Sequence, residues 1–128
     1  MTIHTMMTAD ESGKELVELA QQLAQTLVDK KLSRSQIRNI FTEARQIEAL
    51  WEKEGEHEKE ALRRLILLKP KLAYQAGRDK SVKLLQEKLN EAIDVVSNAP
   101  AGKQKEYFMR FMDFFEAVLA YHKAYGGN

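Results

Sequence analysis

Apolar residues recur along most of this chain at spacings of three and four, and no segment alternates apolar with polar at a period of two. That regularity leaves helices as the elements able to gather the apolar side chains on one face. Leu16, Leu19, Leu23 and Leu27, with Ala20 and Val28 beside them, make a first stripe. Ile37, Ile40, Phe41, Ala44, Ile47 and Trp51 make a second, and Ala61, Leu62, Leu65, Ile66 and Leu68 a third. Val82, Leu85, Leu89, Ala92, Ile93 and Val96 form the fourth. The fifth carries Phe108, Phe111, Phe115, Val118 and Leu119, widened by Tyr107, Phe114, Tyr121 and Tyr125. The expected fold class is all-α.

Local signals set the expected boundaries. Residues 1–11 show no periodicity and read as a flexible N-terminal tail, ahead of one helical-bundle domain over residues 12–128. Ser12-Gly13-Lys14-Glu15 and Ser33-Arg34-Ser35-Gln36 both have the spacing of a capping box, which opens a helix by satisfying free backbone N–H groups. Gly55 marks a stop or bend after the second helix. Pro70 lacks an N–H and predicts a break or kink, followed by a short helical stretch to Gly77. A fourth helix should start near Asp79. Asn98-Ala99-Pro100-Ala101-Gly102 reads as a loop, and the last helix should run from about Lys103 to the stop at Gly126-Gly127.

Size and composition narrow the function classes. A chain of 128 residues suits one domain, and 44% hydrophobic with 30% charged residues suits a folded core. No apolar run approaches the ~18 residues of a membrane span, so no membrane partner is expected. The start MTIHTMMTADES lacks the basic and apolar regions of a signal peptide. The absence of Cys excludes disulfides, cysteine-held zinc and thiol catalysis, and it fits a cytoplasmic protein.

The net charge of +1 conceals strong segregation. Residues 1–29 and 46–60 each carry −4, residues 30–45 carry +4 and residues 61–83 carry +6. Arg34, Arg38 and Arg45 fall within roughly 40° of one another on a helical wheel, away from the apolar stripe, and so form a basic ridge. A second basic block holds Arg63, Arg64, Lys69, Lys71, Arg78, Lys80 and Lys83. Guanidinium forks on such ridges suit phosphate oxygens, although most charged faces of helices simply meet water.

Catalytic chemistry finds little support. Glu54-x-x-His57 has the spacing used in carboxylate-bridged di-iron bundles, but no second such pair accompanies it, so no metal site is expected. Gly55, Gly77 and Gly102 are isolated and make no phosphate loop. Phe108, Phe111 and Phe115 stand at core spacing rather than as a base-stacking surface. Tyr74, flanked by Lys71 and Arg78, fits either role. No enzyme activity, catalytic residue or cofactor is expected.

Three stretches resemble the small helical subunit of type III-A CRISPR–Cas effector complexes, the Csm complex. They are Ser35-Gln36-Ile37-Arg38, the segment LLKPKLAYQAGR at 67–78, and FFEAVLAYHKAYGG at 114–127. The resemblance covers residues 33 to 127, and the middle block is its most specific part. It implies a compact bundle of about five helices that performs no chemistry. Several copies would stack beside the repeated backbone subunits and hold the sugar–phosphate backbone of guide RNA and target RNA, mainly the target strand. RNA cleavage would belong to the backbone subunit and cyclic-oligoadenylate synthesis to the large subunit.

By position, the resemblance assigns RNA contact to Arg38, Lys69, Lys71 and Arg78, and then to His122 and Lys123. The charge pattern adds Arg34, Arg45, Arg63 and Arg64. Expected partners are therefore guide RNA, target RNA, the backbone and large subunits of the complex, and other copies of this chain. A hinge at Gly55 would also allow a helix-swapped homodimer of the isolated protein. A different reading remains open, in which the bundle is a protein–protein adaptor whose basic face docks an acidic partner.

Overall fold

Burial follows the stripes marked by sequence spacing. The computed structural model describes residues 2–53 and 57–128. Among these residues there is no strand, and six α-helices run in the order α1 (Ile3–Thr8), α2 (Lys14–Asp29), α3 (Arg34–Glu52), α4 (Glu58–Arg78), α5 (Lys83–Asn98) and α6 (Gln104–Ala124). Single turns of 3₁₀ helix at Lys80–Val82 and Ala101–Lys103 lead into α5 and α6. The architecture is an all-α bundle.

Helix α6 holds the centre and contacts α1, α2, α3 and α5. Its Phe108, Phe111, Phe114, Phe115 and Val118 are all fully buried. A run of aromatic contacts joins α3 to α6: Trp51 stacks on Phe108 at 4.6 Å, Phe108 on Phe111 at 5.7 Å, and Phe115 meets Phe41 edge-on at 5.2 Å. Such pairs contribute about 0.5–1.5 kcal/mol beyond the area they bury. Helix α4 lies outside α3 and α5, with Ala61, Leu65, Leu68 and Leu72 turned inward.

The chain start departs from the expected tail. Residues 3–8 form α1, with Ile3, Met6 and Met7 buried in the common core. Thr2 caps this helix by accepting from the Thr5 amide at 3.0 Å, and the Arg110 guanidinium donates to the Met7 carbonyl at 2.7 Å. Six residues are too few to show a periodic stripe and too few for a helix stable in water. Packing against α5 and α6 makes this helix.

Two boundaries also differ from expectation. Helix α2 does not begin with a Ser12 capping box: Gly13 is the N-cap, at a φ of +82°, and the Asp10 carboxylate accepts from the Leu16 amide at 2.9 Å. Helix α4 runs unbroken through Pro70. Pro70 is exposed, and the carbonyl it leaves without a helical donor belongs to the equally exposed Ile66, so the loss falls on the solvent side. Ile66, placed in the third apolar stripe by spacing, accordingly faces outward at 42% exposure. Gly55, with the swap hinge expected there, lies outside the described residues, as does Glu54 of the Glu-x-x-His pair. The Ser33–Gln36 capping box forms as expected, with both reciprocal hydrogen bonds.

Phe111→Ala should cost about 3–5 kcal/mol, because the ring is fully enclosed between two aromatic neighbours on α6 and the core. Urea denaturation followed by circular dichroism measures this directly.

Candidate nucleic-acid interface

Polar contacts zip α3 and α4 together antiparallel. Gln36 Nε2 donates to Asp79 Oδ2 at 2.6 Å, Lys71 Nζ pairs with Glu43 at 2.9 Å, and Arg64 donates to Gln46 at 3.2 Å. Residues 36, 43 and 46 thus meet 79, 71 and 64 in reverse order. This seam carries most of the cations singled out in the sequence, and its contacts divide them into those that are occupied and those that are not.

Arg38, on the second turn of α3, is exposed, and its guanidinium has no hydrogen-bond or ion-pair partner among the described residues. Arg63 and Lys123 are likewise exposed and without such partners. Arg78, at the end of α4, lies with its guanidinium over the Tyr74 ring, 5.7 Å from the centroid. Because Gln36 bonds Asp79, the last turn of α4 and the first turns of α3 meet, and Arg78 and Arg38 belong to the same end of the seam.

The remaining candidates are engaged within the bundle. Lys69 turns away from α3 to pair with Asp94 on α5, and Lys71 is held by Glu43. Arg45 is not part of a free ridge: it donates to Glu48 at 2.7 Å, reaches Glu116 of α6 at 3.5 Å and covers the Phe41 ring. Its pKa is raised, first by the Glu48 hydrogen bond. The same corner holds Asp113, whose carboxyl is pushed up by burial and then by the charges of Glu116 and Glu48. Glu48 of α3, together with Asp113 and Glu116 of α6, makes the surroundings of Arg45 anionic.

Two expected contact residues are built into the end of the bundle instead. His122 is completely buried and its Nε2–H donates to the Leu32 carbonyl at 2.8 Å, so its ring is closed to any surface ligand. Gly127 lies flat against that ring, and its amide donates to the His122 carbonyl at 2.8 Å. Arg34 is half-buried beneath the same residues: its guanidinium donates to the Gly127 carbonyl at 3.3 Å and its amide to the Asn128 carbonyl. Both side chains clasp the segment after α6 to the start of α3.

Between α3 and α4 lies a groove of about 390 Å³. Ile40, Leu68 and Leu72 form its apolar base, while Asn39, Glu43, Lys71, Tyr74 and Gln75 supply its polar edge. Asn39 and Gln75 carried no signal in the sequence, since an exposed amide on a helix has no distinguishing spacing. Tyr74 did carry one: it interrupts the outward face of α4 beside two cations. Among the described residues no cluster of three or more His, Asp or Glu side chains could hold a metal ion. None of the helices described is long and apolar enough to cross a membrane.

Fold and surface together define a small all-helical protein with a basic two-helix seam and, between those helices, a groove whose two charged lining residues pair with each other. A family model described as Csm2 Type III-A matches residues 10–128. A curated relative, the CRISPR system Cms protein Csm2 of Streptococcus thermophilus, is 33% identical over 100 residues, which is 76% of this chain and 75% of that protein. No solved structure matches the chain significantly. The chain belongs to the type III-A Csm2 family, the small subunit of type III-A CRISPR complexes.

Two substitutions test this geometry. A Cβ at Gly127 would overlap the enclosed His122 ring, so Gly127→Ala should destabilise by about 1–3 kcal/mol, read as a lower urea midpoint. The Asp79 carboxylate lies below its ordinary pKa, chiefly through the Gln36 hydrogen bond and then through the Ser81 hydroxyl and amide. A depressed carboxylate stabilises the fold above its unfolded pKa of about 3.9 and loses that contribution as pH falls through the folded value. Wild type should therefore exceed Asp79→Asn in stability at neutral pH, and the gap should close in denaturation series taken below about pH 3.9.

Proposed function

We propose that this chain is a non-catalytic small subunit that holds the sugar–phosphate backbone of the guide/target RNA, mainly the target strand, in a type III-A interference complex serving antiviral defence. Several copies would stack along the complex beside the backbone and large subunits. The observation that carries this reading is the pairing of Arg38 and Arg78 at one end of the α3–α4 seam, exposed and without a carboxylate partner among the described residues. Guide pairing supplies sequence choice in such a complex, so this subunit needs contacts that tolerate any sequence. An A-form duplex offers phosphates and 2′-hydroxyls for that purpose, because its deep major groove hides the base edges.

The engaged cations keep a place in this reading. Lys69 and Lys71 are each paired with a single exposed carboxylate, and surface pairs of that kind contribute only about 0–1 kcal/mol. A phosphate can therefore compete for them. Arg63 and Lys123 provide further unpaired charge, whereas Arg34, Arg45 and Arg64 contribute mainly to the fold. A protein partner is favoured on the outward face of α4 about two turns before Tyr74, where Ile66 and Leu67 stand 42% and 45% exposed. That is where a neighbouring subunit would dock.

The isolated subunit should bind RNA weakly and with little sequence preference. Arg38→Ala and Arg78→Ala should each weaken binding about equally for unrelated sequences and reduce the salt slope by roughly 0.7–0.9. Arg→Lys at either position should give a partial defect, since charge is kept and the guanidinium fork is lost. Glu58→Ala, on the exposed first turn of α4, should leave binding unchanged or slightly stronger. Filter binding across a salt series measures all five variants. Folded Arg variants with wild-type affinity and slope would remove the backbone reading.

A further inference from the structure

We propose that the α3–α4 groove beside Tyr74 is a binding site for one unpaired nucleobase of the RNA strand, a proposal that rests on the RNA-binding reading above. Tyr74 is 64% exposed, the highest value of the five large apolar side chains that face solvent among the described residues. Its ring lines the groove, and the Arg78 guanidinium lies over it. Phenol rings left in water beside a cation are the usual platforms for bases, since every base has a face to stack.

The groove matches the rest of a base. Its volume of about 390 Å³ falls in the range of small-ligand sites, and its base of Ile40, Leu68 and Leu72 is apolar enough to receive a flat ring. Asn39 and Gln75 stand on its edge, one from each helix, and an amide can present either a donor or an acceptor to a base edge. Glu43, the acid in the lining, already accepts from Lys71 at 2.9 Å. That pair is internally neutral, which suits an uncharged ring and would poorly suit a free anion. The cations Arg78 and Arg38, the latter adjacent to Asn39 in the chain, supply charge for phosphates at that end of the seam. An acidic peptide would use the same cations but would leave the paired Glu43 facing it, so the charge arrangement favours RNA.

The test compares the full chain with Tyr74→Ala and Tyr74→Phe, using a single-stranded RNA and an abasic strand of the same length in fluorescence polarisation. Tyr74→Ala should weaken binding of the base-bearing strand roughly 5- to 150-fold, the range expected for one stacked base. It should leave binding of the abasic strand and the salt slope unchanged. Tyr74→Phe should retain wild-type binding of both strands. Equal losses on both strands would overturn the proposal, because Tyr74 would then serve only to hold Arg78. Wild-type affinity in Tyr74→Ala, with Arg38→Ala still defective, would overturn the base site and leave the backbone reading standing. A wild-type chain that binds neither strand would overturn both. Loss of a neighbouring subunit by Tyr74→Ala, with RNA binding intact, would make the groove a protein-docking surface and also overturn it.

Discussion

The enclosure of α6 by the other helices is the constraint on which this structure depends. Phe108, Phe111, Phe114 and Phe115 occupy successive positions around the inner face of one helix, and all four are fully buried. A helix with so much aromatic surface cannot be covered from one side, so α1, α2, α3 and α5 are drawn around it. The aromatic run from Trp51 through Phe108 to Phe111, with Phe115 against Phe41, then fixes α3 on α6. Helix α4 has no place at that centre. It lies outside, and this is why its second face remains open to solvent.

That exposed position gives α4 one face built into the bundle and another open to solvent. The inner residues of α4 are Ala61, Leu65, Leu68 and Leu72, while Arg63, Ile66, Leu67, Tyr74 and Arg78 face outward. Its charged side chains near α3 and α5 are used to set register, through Arg64, Lys69 and Lys71. The residues beyond that register, Arg78 and Tyr74, stay exposed and without a carboxylate partner among the described residues. At the opposite end of the logic stand His122 and Arg34, whose chemistry is consumed in closing the segment after α6 over the start of α3. A polar side chain that closes the bundle is unavailable to RNA however basic its sequence neighbourhood.

Much of this was legible from residue order. The five main helices, the buried phenylalanines, the Ser33 capping box and the family all follow from spacings and short motifs. The basic seam was legible as two blocks of charge, and within it Arg38 and Arg78 are exposed. Other features were hidden because they depend on residues remote in the chain. Arg45 is held first by Glu48, three positions on, and the second acid at its guanidinium, Glu116, comes from 71 positions away. His122 is enclosed by Leu32, 90 positions away, and by a glycine that only close packing makes necessary.

The sequence by itself determined the class of fold, since a period near 3.6 with no period of 2 admits only helices, and it determined the family, since LLKPKLAYQAGR is distinctive without any coordinates. Tertiary structure alone decided three things. It made a helix of residues 3–8, because burial of Ile3, Met6 and Met7 supplies what six residues cannot supply locally. It carried α4 through Pro70, because the lost hydrogen bond falls on the exposed side. It also sorted the cations into bound and unbound. Propensity and periodicity are properties of neighbours in the chain, whereas the field around a charge is set by whichever side chains packing brings beside it.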